Sequence, residues 1–421
     1  MAFNGLPKFG SFAKIGNVLS SSVGETLGLS SALGMPIAIE FGTGSLKILQ
    51  VTGEPPALVA AACLETPDDL LADRKRRLKF QLEGLPRLIR SGGFRGKRAV
   101  CGIPSWAIKC KHVSLARAEG MSLASQVAEA VPSIFGVDAY SVVHRFSEVP
   151  APDRPNKADV IVTAVDRELV DQLMGAIAAC KLQPVGMHSE FAAVLHTFDH
   201  VHKRDTDAAI NTLYLDIGAS TTGVMISHGK DLAFARVIEI GGRHLDEQIA
   251  KQLKVDLSEA RRVRLEGDAG FVNAPVPAPA LVAAGGVETA GARAEERGMH
   301  PAAPGFTPEL TRQELRPVTP PKVNLTELIE SITDEVLMCL RYHEGQFPGK
   351  RVDRAIFVGG EARHRGLCQA IAKSLRLPAQ MADPLARVAR TGSEPALGLD
   401  MKQPQPGWAV TLGLCLSPTD L

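Results

Sequence analysis

The sequence has few aromatic residues and no excess of charge of either sign. Phe, Trp and Tyr make up 5% of its 421 residues, and 47 Lys and Arg stand against 46 Asp and Glu. Proteins that bind nucleic acid usually concentrate positive charge, and those that bind single strands stack the bases on aromatic side chains. The composition therefore disfavours nucleic acid as a partner.

Paired cysteines and long hydrophobic runs are also lacking. The seven cysteines are scattered, and no two of them form a CxxC pair, which is typical of reduced thiols in a reducing compartment. The best apolar runs, 56–64 and 409–416, are far shorter than the roughly 20 residues that span a bilayer. The first residues do not have the charged and then apolar order of a signal peptide. We expect a cytoplasmic protein.

Two segments far apart in the sequence repeat one pattern. They read IEFGTGSLK at 39–47 and LDIGASTTG at 215–223. Each is an apolar strand that ends in an acidic residue, followed by one residue, a glycine, a turn of small or hydroxylated residues and a second strand. Because the same unit opens each half of the chain, the sequence predicts two related α/β halves.

The residue types of this repeat suit a site for a nucleoside triphosphate. An acid at a strand end, Glu40 or Asp216, can hold Mg²⁺ through water or orient an attacking water. The glycines allow the backbone to approach phosphate oxygens, which the N–H groups and hydroxyls of the turns can bind. Two such hairpins that face each other would hold a triphosphate from both sides.

Two pairs of glycines complete the pattern. Gly241 and Gly242 connect a strand to a helix, and Gly359 and Gly360 follow an apolar strand, where a flat adenine or ribose could lie against the backbone. Each motif alone is typical of an ordinary turn, but the ordered set of four is much more specific. The sequence contains no Walker A motif and no GxGxxG after a strand, which disfavours the P-loop and Rossmann folds.

With these motifs the sequence resembles the actin-like ATPase superfamily, which includes FtsA-like proteins, and within it the PilM family of type IV pilus assembly. Three further stretches carry the resemblance: 100–105, 238–242 and 377–384. The resemblance implies an actin-like (ribonuclease H-like) duplicated two-domain α/β fold with a small α+β insert, called subdomain 1C. It also implies ATP and Mg²⁺ as cofactors.

The resemblance also implies an order of subdomains along the chain. They are 1A at 35–115, the 1C insert at 116–183, 1A again at 184–208, 2A at 209–242, a reduced 2B at 243–328 and 2A again at 329–421. Residues 1–34 precede them, and we expect a flexible leader there. Within 2B, 267–321 is dominated by Ala, Pro and Gly without a sustained period, so we expect this segment to be disordered.

The same resemblance assigns roles to individual residues. Glu40 and Asp216 would be the catalytic residues and would position Mg²⁺ or the attacking water. The expected nucleotide contacts are Gly42, Thr43, Gly44, Ser45, Lys47, Gly218, Ala219, Ser220, Thr221, Thr222, Gly241, Gly242, Arg264, Gly359, Gly360 and Glu361. Three residues depart from the family pattern: Glu40 stands where Asp is usual, Glu361 stands where a third glycine is common, and Arg261 stands where an acid that touches adenosine is often found. We therefore expect ATP binding with slow hydrolysis at most.

In this family a cytoplasmic protein binds ATP and the short cytoplasmic tail of an inner-membrane protein, PilN. The resemblance thus implies a PilN-like partner and other pilus or secretion platform proteins, a location at the inner face of the cytoplasmic membrane, and leaves a homodimer open. Two alternatives remain. One is an actin-fold phosphotransferase, which would consume ATP steadily when its small metabolite is present. The other is a scaffold with a decayed nucleotide pocket, which Mg-ATP would not stabilise.

Overall fold

The computed structural model describes residues 35–150, 154, 156–202, 209–266 and 323–419. The predicted leader, 1–34, and the predicted disordered segment, 267–321, lie outside the described residues. In the part of the chain that is described, no helix is both long and apolar enough to cross a bilayer.

The described residues form fourteen strands. They are β1 (Ile37–Phe41), β2 (Ser45–Thr52), β3 (Ala57–Glu65), β4 (Arg98–Ile103), β5 (Lys109–Ala116), β6 (Val142–Val149), β7 (Lys157–Asp166), β8 (Gln183–Ser189), β9 (Asn211–Ile217), β10 (Thr222–His228), β11 (Asp231–Ile238), β12 (Arg354–Val358), β13 (Ala379–Met381) and β14 (Ala396–Leu397).

Two large sheets, one in each half of the chain, share a strand order. The first runs β14-β3-β2-β1-β4-β8 and the second runs β11-β10-β9-β12-β13. In each half an antiparallel hairpin and a third antiparallel strand come first, and two parallel strands then follow on the other side of the first strand. Apart from the short β14, the second sheet repeats the first. The predicted duplicated α/β architecture is confirmed.

A third sheet forms the small insert of the first half. Its order is β5-β7-β6, and all of its pairings are antiparallel. The predicted start of the insert, residue 116, falls at the end of β5, which pairs with β7 from Lys109 to Ala116. The three-stranded sheet therefore begins at 109, one strand earlier than the sequence indicated. The other subdomain boundaries stay predictions.

Nine α-helices lie on the faces of these sheets in the described residues. They are α1 (Arg74–Ser91), α2 (Leu123–Phe135), α3 (Arg167–Ala179), α4 (Glu190–Phe198), α5 (Gly242–Leu253), α6 (Leu257–Glu266), α7 (Thr326–Gln346), α8 (Arg365–Leu375) and α9 (Ala409–Leu416). Helices α1 and α3 share an apolar cluster with one face of the first sheet. Helices α5, α7 and α8 share a cluster with one face of the second sheet. The outer faces of both sheets are thereby covered.

The inner faces of the two sheets share one core, which α4 and α9 fill. Phe191 of α4 and Leu414 of α9 are buried in the same cluster as Leu49 of the first sheet and Tyr214 of the second. The two helices cross in direct backbone contact at Gly413, where a Cβ would overlap the carbonyl oxygen of Ala193. Only a glycine allows this approach, so Gly413 lets α4 and α9 pack in backbone contact between the two sheets.

Two separate helices follow the double glycine at 241–242. Helix α5 ends at Leu253 and α6 begins at Leu257. Lys254 adopts a left-handed conformation with φ of 57°, which ends α5. Asp256 then accepts a hydrogen bond from the N–H of Glu259 and so caps the start of α6.

Candidate functional site

A cleft of about 540 Å³ lies between the two halves, where the hairpin turns of the large sheets meet. Its walls contain most of the residues that the sequence pattern selected. They are Glu40, Gly42, Thr43, Gly44, Ser45, Lys47, Asp216, Gly218, Ala219, Thr221, Gly359, Gly360 and Glu361. Three distant parts of the chain therefore meet in one site.

The two repeated turns face each other across this cleft. A Cβ added at Gly44 would lie 3.4 Å from the Cβ of Ala219, which is ordinary van der Waals contact. The second turn is closed by a hydrogen bond from the N–H of Gly218 to the carbonyl of Thr221, at 2.9 Å. The hydroxyls of Ser105 and Thr221 lie 3.1 Å apart, so a side chain of the first half touches the turn of the second. Both turns present backbone N–H groups and hydroxyls of the kind that bind phosphate oxygens.

Glu40, the acid of the first repeat, is held by two neighbours. It lies directly opposite Lys47 in the register of β1 and β2. Lys47 donates from Nζ to one carboxylate oxygen at 2.8 Å, and the hydroxyl of Thr411 donates to the other. Both oxygens of Glu40 are thus engaged, which leaves this side chain little freedom to reach a metal ion.

Lys47 is occupied as well. Its Nζ also donates to the carbonyl oxygen of Gly407 at 2.6 Å. Burial opposes the positive charge, but the adjacent Glu40 outweighs this effect and raises the pKa of Lys47 above its ordinary value. The ammonium group of Lys47 therefore lines the cleft as a positive charge that is held in place by Glu40 and by the carbonyl of Gly407.

Asp216, the acid of the second repeat, has no ion-pair partner in the part of the chain that the structure describes. Burial and the nearby charge of Glu40 raise the pKa of Asp216 to about 6, and Lys47 offsets only part of this shift. Gly359, at a φ of 92°, lies against the carboxylate, since a Cβ there would be 2.5 Å from Oδ1. Asp216 lines the cleft, and a pKa of about 6 leaves it mostly ionised at neutral pH.

The residues of the cleft fit a magnesium ion that is held mainly by water and phosphate. Among the described residues there is no group of three His, Cys, Asp or Glu side chains that could hold a metal ion by themselves. Magnesium usually keeps several waters and takes only one or two carboxylates together with substrate phosphates. Asp216 can supply such a carboxylate, and Glu40 would act through water.

Glu190 is a cleft residue that the sequence did not reveal. It is the first residue of α4, and it lines the cleft together with Ser105. Burial, with the charges of Asp216 and Glu40, raises the pKa of Glu190 to about 8, although hydrogen bonds from Ser105 lower it. A lone acid at a helix start carries no local motif, so no signal in the sequence distinguished it.

Arg264, which was predicted to contact the nucleotide, lies beneath the cleft wall instead. Its side chain is 1% exposed and forms ion pairs with Asp246 and with Glu361. Glu361 does line the cleft, so Arg264 contacts the buried side of a cleft residue and holds its carboxylate in place. Arg261, one helical turn earlier, lines the cleft in its place and donates to Asp68 of the first half at 3.1 Å.

Four other predicted contacts stand behind the second turn, outside the cleft lining. The hydroxyl of Thr222 donates to the carbonyl of Ile240 at 2.8 Å. A Cβ at Gly241 would overlap the backbone of Gly218, and one at Gly242 would overlap the carboxyl group of Glu361. The hydroxyl of Ser220 is buried and has no hydrogen-bond partner in the described part of the chain. The double glycine therefore allows close packing under the turn.

A segment near the C-terminus, which no motif marked, closes the remaining side of the cleft. Its lining residues are Gly398, Leu399, Asp400, Gln403, Gln405, Pro406, Gly407, Trp408, Ala409 and Val410. The N–H of Gly359 donates to the carbonyl of Pro406 at 3.0 Å, so this segment packs directly on the glycine turn that follows β12.

The comparisons with known proteins agree with this geometry. The family model described as type IV pilus assembly protein PilM matches residues 38–271, which is more than half of the chain. The chain belongs to the PilM family. The model for the cell division protein FtsA also matches, over residues 213–398. A search of the curated proteins returns no match.

A solved PilM structure shares the fold. The "PilM-PilN type IV pilus biogenesis complex" has a TM-score of 0.67 and 20% identity, and the alignment covers 91% of this chain and 98% of that one. Two other solved structures are more distant. The ethanolamine utilization protein EutJ from Carboxydothermus hydrogenoformans has a TM-score of 0.44 and 12% identity, and the alignment covers 90% of this chain and 89% of that one. MreB5 of Spiroplasma citri bound to ADP has a TM-score of 0.43 and 13% identity, with 90% of this chain and 94% of that one covered. The predicted actin-like fold is confirmed.

Proposed function

We propose that this PilM-family protein is an ATP-binding adaptor of a type IV pilus or type II secretion-like assembly. The observation that carries the nucleotide part is the pair of facing turns, with Gly44 and Ala219 in near contact across the cleft. Both turns line one cleft, and glycine-rich turns of this kind would bind phosphate oxygens through backbone N–H groups and hydroxyls. The glycines at 359 and 360 then leave a flat surface for the nucleoside.

Asp216 and Glu190 differ in their charge at neutral pH, and this difference gives them different roles in the cleft. Asp216, with a pKa of about 6, is ionised at neutral pH and would hold Mg²⁺ through water. A bound Mg²⁺ would neutralise charge on the phosphates. Burial and the charges of Asp216 and Glu40 raise the pKa of Glu190 to about 8, so without ligand it is mostly protonated at neutral pH and would be a poor acceptor for the proton of an attacking water. This arrangement supports nucleotide binding with slow hydrolysis.

The partner follows from the family and from one relative. That relative was solved as a complex of PilM with PilN, and the alignment covers nearly the whole of it. We propose by analogy that this chain binds the cytoplasmic tail of a PilN-like inner-membrane protein and is peripheral to the inner face of the membrane through that partner.

A second candidate function is a scaffold that no longer binds ATP. It is favoured by the engagement of Glu40 with Lys47 and Thr411, and by the presence of Glu361 where the family has a small residue. Both features could crowd a ligand, and only a binding measurement distinguishes the two candidates.

The test is calorimetric titration of the protein with Mg-ATP and, separately, with a synthetic peptide of the partner's tail. Gly44→Val places branched methyls in the gap between the turns, whereas Gly345→Val adds the same atoms at an exposed position of α7 with nothing within 4 Å. We expect ATP binding by the parent and by the Gly345 variant, with loss in the Gly44 variant. Binding of the tail but not of ATP by all three would establish the scaffold function instead.

A further inference from the structure

The exposed face of α1 carries a localised positive charge. Helix α1 has a clean division of faces, in which Arg77, Leu78, Gln81, Leu85 and Leu88 are buried against the first sheet. On the opposite face, at helical spacing, the exposed charged residues are Lys75, Arg76, Lys79, Glu83, Arg87 and Arg90. This face therefore presents five cations and one acid, while the whole chain has a net charge of only +1.

Most of this charge is not neutralised by neighbouring acids. Arg76 lies 3.3 Å from Asp69, and Lys79 lies 3.9 Å from Glu83, but both pairs are exposed to solvent. Lys75, Arg87 and Arg90 have no ion-pair partner among the residues that the structure describes. Surface ion pairs of this kind contribute little to stability and are screened by salt, so these cations can readily exchange their acidic neighbours for other anions.

The positive face continues beyond the end of the helix. Arg95 and Lys97 are exposed in the turn that connects α1 to β4. From Lys75 to Arg90 the helix extends about 22 Å at its rise of 1.5 Å per residue. This face of α1 and the turn that follows it thus present seven exposed cations.

We propose that this α1 face binds directly to an anionic lipid bilayer. Clusters of four to eight Lys and Arg on an amphipathic helix are the pattern that anionic headgroups attract. A protein partner would be expected to bury an apolar centre, since interface cores are enriched in aromatic residues and depleted of Lys. In the described part of the chain, none of the large exposed hydrophobic residues lies between 74 and 98. The spread-out positive charge of this face therefore matches the negative headgroups of an anionic bilayer better than it matches a protein.

This contact goes beyond the proposed function, which places the protein at the membrane only through a partner. Direct binding would orient the first half against the lipid and leave the cleft free, because the α1 face lies on the outer side of the sheet whose turn lines the cleft. A weak electrostatic contact would also raise the local concentration of the protein near a membrane-anchored tail.

The test is co-sedimentation of the full chain with vesicles that contain no partner protein. Vesicles of phosphatidylcholine alone are compared with vesicles that also contain phosphatidylglycerol, at low and at high salt. The variant is Lys75→Glu, Arg87→Glu and Arg90→Glu together. Its matched control is Lys251→Glu, Lys350→Glu and Lys373→Glu, which changes the net charge equally at exposed cations of the second half.

We expect the parent and the control to bind the anionic vesicles at low salt and to be released at high salt. The α1 variant should bind at least about 100-fold more weakly, because each cation contributes roughly a factor of five to ten and reversal adds repulsion. Both variants should keep the thermal stability of the parent. Absence of parental binding, an unchanged α1 variant, or an equal loss in the control would each overturn the proposal.

Discussion

Lys47 and Glu40 form a cross-strand ion pair at 2.8 Å on the floor of the cleft, with side chains that are 15% and 7% exposed. They are neighbours in the register of β1 and β2, so the hairpin itself places them together. The pair also explains why neither side chain projects freely into the cleft. It links the first turn to α9 and to Gly407 through the remaining hydrogen bonds of both groups.

This pair predicts strong coupling between two substitutions. Lys47→Met alone leaves the Glu40 carboxylate buried without its cation and should lower the free energy of unfolding by about 3–5 kcal/mol. Glu40→Gln in the same background removes the uncompensated charge and should recover much of that loss. Chemical denaturation of the parent, both single variants and the double variant measures the coupling. Strict additivity of the two effects would contradict the account.

Arg261 and Arg264, two of the three arginines of α6, should behave differently. Arg264→Met leaves Asp246 and Glu361 without their shared cation and should cost about 3–5 kcal/mol of stability. Arg261→Ala removes a partly exposed pair with Asp68, so the free energy of unfolding should change by about 1 kcal/mol or less, while the dissociation constant for Mg-ATP should rise about tenfold. Thermal melts and titration calorimetry separate the two roles. Equal stability losses would show that the assignment is wrong.

Glu190 gives the apo protein a pH dependence with a definite sign. The folded pKa of about 8 is raised above the ordinary value of 4.5, so the folded state binds the proton more tightly than the unfolded state. The contribution of this group to stability is complete below about pH 4.5 and is lost as the pH rises toward 8. Glu190→Gln abolishes that loss, so the variant should gain about 3–4 kcal/mol on the parent between pH 5 and pH 8.5.

Denaturant titration of the parent and of the Glu190→Gln variant at both pH values provides the measurement. The expected result is a difference that grows with pH. If the difference between the two proteins were independent of pH, Glu190 would not be protonated in the folded state.

The crossing of α4 and α9 should tolerate no side chain at Gly413. Gly413→Ala places a Cβ into the carbonyl oxygen of Ala193 and should destabilise the protein by about 1–3 kcal/mol through overpacking. Gly345→Ala in α7, with nothing within 4 Å of its Cβ, should instead stabilise by about 0.5–1 kcal/mol. Opposite shifts of the two melting temperatures are the expected outcome. A neutral Gly413 variant would refute the close approach.

The hairpins of the fold could be predicted from the sequence because their determinants are local. An acid, a glycine and a hydroxylated turn between apolar strands mark both β1–β2 and β9–β10, and the repeat itself indicated the duplication. The insert was expected to begin at residue 116 and not at 109, although the partial alternation in KCKHVSLA is itself typical of a strand. What this segment does not reveal is that the strand pairs with β7, which begins 41 residues after it ends. Boundaries that depend on distant pairing leave no local signal.

The candidate site was predictable in part for the same reason. The turns and the glycines that line the cleft belong to local motifs, but the partners of charged residues do not. Arg264 was expected to face a nucleotide, and only the folded chain brings Glu361 to it from 97 residues away. The engagement of Glu40 by Thr411 depends on an even longer separation of 371 residues. Side-chain roles set by such contacts require the structure.

The most direct test of the account is the thermal stability of the parent and of Asp216→Ala, each with and without Mg-ATP. At a hundredfold excess over its dissociation constant, a ligand of the folded state should stabilise the parent by about 2.7 kcal/mol. The account predicts this shift in the parent and its loss in the variant, whose fold without ligand stays intact. An intact parent that Mg-ATP does not stabilise would contradict the nucleotide-binding claim and leave only the scaffold function.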